Sequence, residues 1–119
     1  MRQAGDSILT DPAQAVPWAI GLERGDSGWV VRLAGEIPLA AAEELKAALL
    51  ECVVCGRDFE VDLETVETMD FAVLQLLWAA ARERERAGAA MAIRTSLTAA
   101  AAICEAGFGS LLGHSAGGR

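Results

Sequence analysis

The chain has 119 residues, no tyrosine and a single histidine, His114. One histidine near the end leaves little scope for histidine-based acid–base catalysis or a multi-histidine metal centre. The three cysteines, Cys52, Cys55 and Cys104, are an odd number and do not describe a disulfide framework. Cations are scarce: Lys+Arg is 10 against 17 Asp+Glu, a formal net charge of −7. A nucleic-acid surface needs clustered cations, and an anionic membrane surface would repel this chain. No apolar run approaches the ~20 residues of a membrane-spanning helix. The start, MRQAGDSILTDPAQAVPW, lacks the apolar segment of a secretory signal. The expectation is a soluble, cytoplasmic protein without membrane insertion or nucleic acid.

Hydrophobic residues make up 53% and charged ones 23%, which excludes a disordered chain. This length suits one domain. We expect a flexible arm over 1–15, one domain over 16–112 and a flexible tail over 113–119.

Strands are expected over 18–24 and 29–34, joined by the turn signal Gly25-Asp26-Ser27-Gly28. Trp29, Val31 and Leu33 alternate with Val30, Arg32 and Ala34, and Gly35 and Pro38 are expected to end the second strand. Trp18 and Trp29 are expected in the core or under the arm. Residues 40–54, AAAEELKAALLECVV, are strong helix formers closed by Gly56. In FEVDL, Phe59, Val61 and Leu63 point one way and Glu60 and Asp62 the other. One sheet face is therefore covered by helices and the other is partly wet. A short loop over 64–70 follows. Asp70 is a good N-cap for a helix over 71–87 whose core face is Val73, Leu74, Leu77, Ala80 and Ala81. Met91 and Ile93 mark a strand. A helix from Ser96 or Thr98 to Ala106 and a turn carrying Phe108, Leu111 and Leu112 complete the order β-β-α-β-α-β-α. That order is an α/β domain with a mixed sheet of four to five strands, helices mainly on one face.

Several groups invite a chemical reading and are better explained without one. Cys52-Val53-Val54-Cys55 closes a helix, where the dipole works against a thiolate, so structural core cysteines are expected rather than a redox pair or zinc ligands. Glu43, Glu44, Asp62, Glu64 and Glu67 read as a solvated acidic rim, with Asp70 as a cap. In Arg82-Glu83-Arg84-Glu85-Arg86, pairs three apart stabilise an exposed helix end by ~0.3 kcal/mol each. GFGSLLG lacks the Lys-Ser/Thr of a phosphate loop. Phe71 and Trp78 flank the polar side of the second helix. They are either exposed anchors for a partner or are buried by a slight roll of the helix.

The strings VVRLAGEIPLAAAEELKAALLE, FEVDLETVETMDFAVLQLLWAAARERERAG and MAIRTSLTAAAAICEAGF together resemble a STAS domain. This is the fold of bacterial anti-sigma factor antagonists. The resemblance spans about 18–112. It implies a protein-binding regulatory module with no enzymatic activity and no cofactor. The partner implied is a serine-kinase-type anti-sigma factor. In that family the stretch before the second helix commonly reads Asp-Ser-Ser/Thr-Gly, and the third position is the phosphorylated hydroxyl. Here it reads Asp70-Phe71-Ala72-Val73. The cap matches, Ala72 replaces the hydroxyl and the switch at that position is lost. Thr65 and Thr68 are nearby hydroxyls, read as turn residues. The expected partner-binding residues are Asp70, Phe71, Ala72, Gln75 and Trp78, with neither catalytic nor metal-binding residues. The resemblance also allows a stand-alone accessory subunit on the ATPase of an ABC-type lipid transport complex, or a role in a chemotaxis-type signalling system. The oligomeric state is left open.

Overall fold

The computed structural model describes residues 17–56, 58–89 and 91–114. The strands are β1 (Trp18–Arg24), β2 (Trp29–Ile37), β3 (Phe59–Met69) and β4 (Met91–Thr95). The helices are α1 (Ala42–Cys55), α2 (Phe71–Arg86) and α3 (Leu97–Glu105), with short 3-10 turns at Leu39–Ala41 and Gly109–His114. Among the described residues the strands form one sheet in the order β1-β2-β3-β4. The first pair is antiparallel and the next two are parallel. The mixed sheet and the order β-β-α-β-α-β-α are as the alternation predicts. The arm and tail expected over 1–15 and 113–119 lie outside the described residues, except for the last two positions of the final turn.

One face of the sheet carries the core. Val31 and Leu33 of β2, Val61 and Leu63 of β3, and Met91 and Ile93 of β4 are buried against Leu45, Leu49 and Cys52 of α1. The predicted α2 face, Val73, Leu74, Leu77, Ala80 and Ala81, is buried in the same cluster, with Ile103 of α3 and Leu111. Trp18 and Trp29 are half-buried against it. The opposite face is built of charge. Arg32, Asp62 and Arg94 stand at neighbouring register positions on β2, β3 and β4. Arg32 Nε donates to Asp62 Oδ2 at 3.0 Å and its Nη1 donates to Glu23. Arg94 pairs with Glu60 at 3.2 Å. The hydrogen bond that Arg32 donates to Asp62, then the charge of Glu23, raises the Arg32 pKa.

β2 and β3 both run past their predicted ends. Nine residues of β2 pair with eleven of β3, and the difference is taken up by register shifts at Arg32/Ala34 and Gly35/Glu36. The first shift moves the buried series from Phe59, Val61 and Leu63 to Val66. Asp62 Oδ1 accepts from the Glu64 N–H at 2.9 Å beside that bulge. Two expectations are therefore corrected. Residues 64–69 are strand rather than loop, because the bulge restores inward alternation. Asp62 is only 7% exposed rather than part of a solvated rim, because Arg32 and Arg94 flank it. Gly35 does not end β2. Its φ of +85° lets the chain pass beside the Pro17 carbonyl, to which Glu36 N donates at 3.1 Å.

The first helix starts later than predicted. No Ser, Thr, Asp or Asn stands at 38–41 to cap it, so the chain makes a tight turn in which Ala41 N donates to Pro38 O at 3.0 Å. α1 closes at Gly56, φ +69°. Ser96 caps α3, its Oγ accepting from Ala99 N at 3.0 Å.

Candidate functional site

The carboxyl ends of parallel strands are where α/β sheets present binding sites, because the helices that follow begin there. In this chain that end is organised by Asp70. Its carboxylate accepts from the Ala72 N–H at 2.9 Å and caps α2. Its own N–H donates to Ile37 O at 2.8 Å, tying the start of α2 to the end of β2. Beside it opens a cleft of about 540 Å³ between Trp18, Pro38, Thr68 and Met69. Leu39 and Phe71 stand exposed at this end of the molecule.

The five predicted site residues fall on two sides of α2. At about 100° per residue, Phe71, Gln75, Trp78 and Arg82 form one outward stripe. Phe71 is 54% exposed and Trp78 39%, so the helix does not roll to bury them. Phe71 leans on Phe108, with ring centroids 5.2 Å apart and planes tilted by 55°. The Arg82 guanidinium lies 4.9 Å from the Trp78 ring centroid, which holds the indole with a cation on its face. Trp78 and Arg82 also edge a groove of about 510 Å³ that reaches Ser110 and Leu111. Ala72 lies about 100° round the helix from Phe71, and Gln75 borders both the stripe and the surface of Ala72. Ala72 is half-buried in a notch of about 300 Å³ against α1, with Ala42, Glu43, Lys46, Gln75 and Leu76.

Thr65 and Thr68, expected in a turn, lie in the second half of β3. Thr65 Oγ1 donates to Leu33 O at 3.5 Å. Leu39 escaped the sequence reading, because a leucine ahead of an alanine-rich helix has the signature of core. Arg84 also escaped it, being one arginine in a run of alternating charge.

The cysteines separate. Cys52 is fully buried in the last turns of α1, whereas Cys55 and Cys104 are exposed, so only one fits the expected structural core role. Burial, with Glu51 and Cys55 adding to it, pushes the Cys52 thiol up to about 11. That state is the opposite of an activated thiolate. Among the described residues no three His, Cys, Asp or Glu side chains group to hold a metal ion, and no helix is long and apolar enough to cross a membrane.

Known proteins place this arrangement. A family model described as "Mlab, STAS domain" matches residues 20–109. The anti-sigma factor antagonist SpoIIAA in its unphosphorylated form superposes with a TM-score of 0.65 at 22% identity, covering 78% of this chain and 84% of its own. An anti-sigma factor antagonist from Mycobacterium paratuberculosis gives 0.67 at 22% identity, covering 78% and 80%. The phosphorylated form of SpoIIAA, a Bacillus cell fate determinant, gives 0.63 at 24% identity, covering 78% and 87%. No curated protein sequence matches the chain. At these identities the solved structures establish the fold, and the family model over most of the chain establishes the family. The chain is a member of the STAS domain family.

Proposed function

We propose that this protein is a non-catalytic regulatory module that binds a protein partner through the entrance of α2, without phosphorylation at that entrance. The observation that carries the reading is an exposed apolar group around a rigid helix start: Phe71 and Leu39 stand in solvent, and Asp70 ties that end to the sheet. Aromatic side chains with small rotamer freedom make effective anchors at the centre of protein interfaces. SpoIIAA exists in phosphorylated and unphosphorylated forms. Here the corresponding position is Ala72, which offers no hydroxyl and is half-buried against α1. A phosphate at a helix start brings about −2 charge and strong acceptors, and an interface there would be broken by it. With alanine the interface has no such toggle. The partner is a serine-kinase-type anti-sigma factor. The same patch would serve an ATPase subunit of a lipid transport complex.

The test is titration of purified candidate partners from the same genome against the wild-type chain and Phe71→Glu, with labelled ATP present. Expected is saturable binding to the kinase-type factor, no label transferred to residue 72, and at least a tenfold weaker complex for the variant. Binding to the ATPase subunit alone would select the accessory-subunit role. Equal affinity of wild type and Phe71→Glu for every partner, with the variant's melt unchanged, would refute the patch.

A further inference from the structure

On one side the sheet ends at β1, and that edge is open. β1 ladders to β2 alone, from Trp18↔Gly35 to Arg24↔Trp29 without a register shift. The ladder fixes which backbone groups face outward. Gly25 N donates to Gly28 O and Glu36 N donates to Pro17 O, so it is the odd-numbered residues of this hairpin arm that bond to β2. The N–H and C=O groups of Trp18, Ile20, Leu22 and Arg24 point away from the sheet, and among the described residues no hydrogen bond reaches them. Exposed edges are commonly blunted by proline, lysine, a bulge or an inward charge. WAIGLER has none of these before its last two residues, and both of those are neutralised within the chain, Glu23 by Arg32 and Arg24 by Glu51.

Two observations indicate what this edge accepts. Gly21 stands in the middle of β1, where a glycine weakens a strand unless another backbone approaches closely. The chain's own fold does not require it: a methyl group at this position would meet no atom within 4 Å, and its φ is not positive. The second observation is that Trp18, Ile20 and Leu22, which face the helix layer, are only half-buried. α1 therefore stops short of the edge, and its Glu51 is reached only by the long side chain of Arg24. Room for a further strand is left above the seam.

We propose that β1 pairs with the β1 of a second copy of this chain, antiparallel and about a two-fold axis at Gly21, so that two four-stranded sheets become one. An axis perpendicular to the sheet sets Trp18 of each copy against Arg24 of the other, Ile20 against Leu22, and Gly21 against itself. All the outward-facing residues then fall in hydrogen-bonded pairs, and Gly21 falls in the close non-bonded pair, with Cα atoms ~4.5 Å apart. The same axis keeps both helix layers on one side of the joined sheet, so Ile20 and Leu22 cover each other. Each Arg24 meets the other copy's Trp18 ring, as it already meets Trp29 in its own chain, 5.5 Å from the centroid. An isologous interface has to be complementary to itself. Here one operation satisfies the backbone, the apolar pair and the cation–aromatic pair together. Phe71 and Leu39 take no part, so the pairing stands or falls apart from the docking reading above.

The test is sedimentation equilibrium of the full chain at 150 mM salt, where repulsion between copies of formal charge −7 is screened beyond about 8 Å. A concentration-dependent monomer–dimer equilibrium is expected. Ile20→Pro removes an outward N–H and no bond to β2, so it abolishes the dimer while the melt stays within about 4 °C of wild type. Gly21→Glu and Gly21→Lys each set like charges against one another across the axis and weaken the dimer at least tenfold. Mixed in equal amounts, the Gly21→Glu and Gly21→Lys chains pair with each other to within about threefold of the wild-type affinity, because opposite charges then meet. Melting curves check the folding of each chain, and a misfolded Ile20→Pro leaves the two Gly21 variants to decide. A monomer throughout, a dimer indifferent to either Gly21 variant, or no pairing in the mixture would overturn the proposal.

Discussion

Among the described residues, Arg84 is a charged side chain whose removal should strengthen the fold. It lies on the core side of α2, 5% exposed, where every other buried residue of that helix is apolar. Its Nε is buried without a hydrogen-bond partner. Its Nη2 lies 3.7 Å from Asp58, and the guanidinium carbon lies 5.9 Å from the Phe59 ring centroid. An orphaned buried donor costs about 1–3 kcal/mol. Against that stand a cation–π contact of about 0.5–1 kcal/mol and a favourable position near a helix C-terminus of about 0.3–1 kcal/mol. The Asp58 side chain is 91% exposed, so removing Arg84 strands no buried anion. Replacing a buried charge with a hydrophobe of similar length is neutral to stabilising under those conditions. Arg84→Met should therefore raise stability by about 1 kcal/mol, which for this size is ~4 °C in the thermal midpoint. Arg84→Ala, which opens a cavity as well, should fall about 2 kcal/mol below the methionine variant. Urea unfolding monitored by tryptophan fluorescence measures both, with an unchanged m-value as the control. A midpoint for Arg84→Met below wild type would refute the reasoning, for it would mean that the guanidinium is satisfied in solution.

Three further outcomes are expected. At pH 8 an alkylating reagent should modify Cys55 and Cys104 in the native protein while Cys52 reacts about a hundredfold slower than a free thiol, as a rise from 9.0 to about 11 dictates. The same raised value makes its contribution to stability complete below pH 9 and lost as pH climbs through about 11, since the unfolded thiol ionises first; fast native labelling of Cys52 would contradict both. Gly35→Ala should lower the thermal midpoint by more than 10 °C, because it combines a φ of +85° with a Cβ that overlaps the Pro17 carbonyl. A shift of a degree or two would show that Pro17 moves aside freely.

The element order was legible because each strand alternates at period two and each helix at 3.6. Val73 to Ala81 could be assigned to the core from spacing alone. The second half of β3 was hidden for a definite reason. Two bulges break its alternation, so LETVETM reads as a polar stretch although it pairs with β2 as far as Met69. The site was half legible. Asp70 declared itself as a cap, whereas the flank position of Phe71 and Trp78 was compatible with exposure or with burial by a slight roll, and only the packed helix decides for exposure. Spacing gave no sign that Ala72 and Trp78 would face different neighbours, since that depends on where α1 lies. Arg84 and Asp62 had ordinary surface chemistry in sequence, and only three-dimensional crowding removes them from water.

β3 is held from both sides over its first five residues, since its ladder with β4 runs from Phe59↔Met91 to Leu63↔Thr95. Beyond Leu63 it is laddered to β2 alone, and both inserted residues fall in that outer span. The inserts act as shims. They advance the threshold of α2 past the end of β4 while the anchored half keeps its grip on the core. Lengthening or shortening this span would reposition the proposed docking entrance like an adjustable sill, leaving the foundation beneath it untouched.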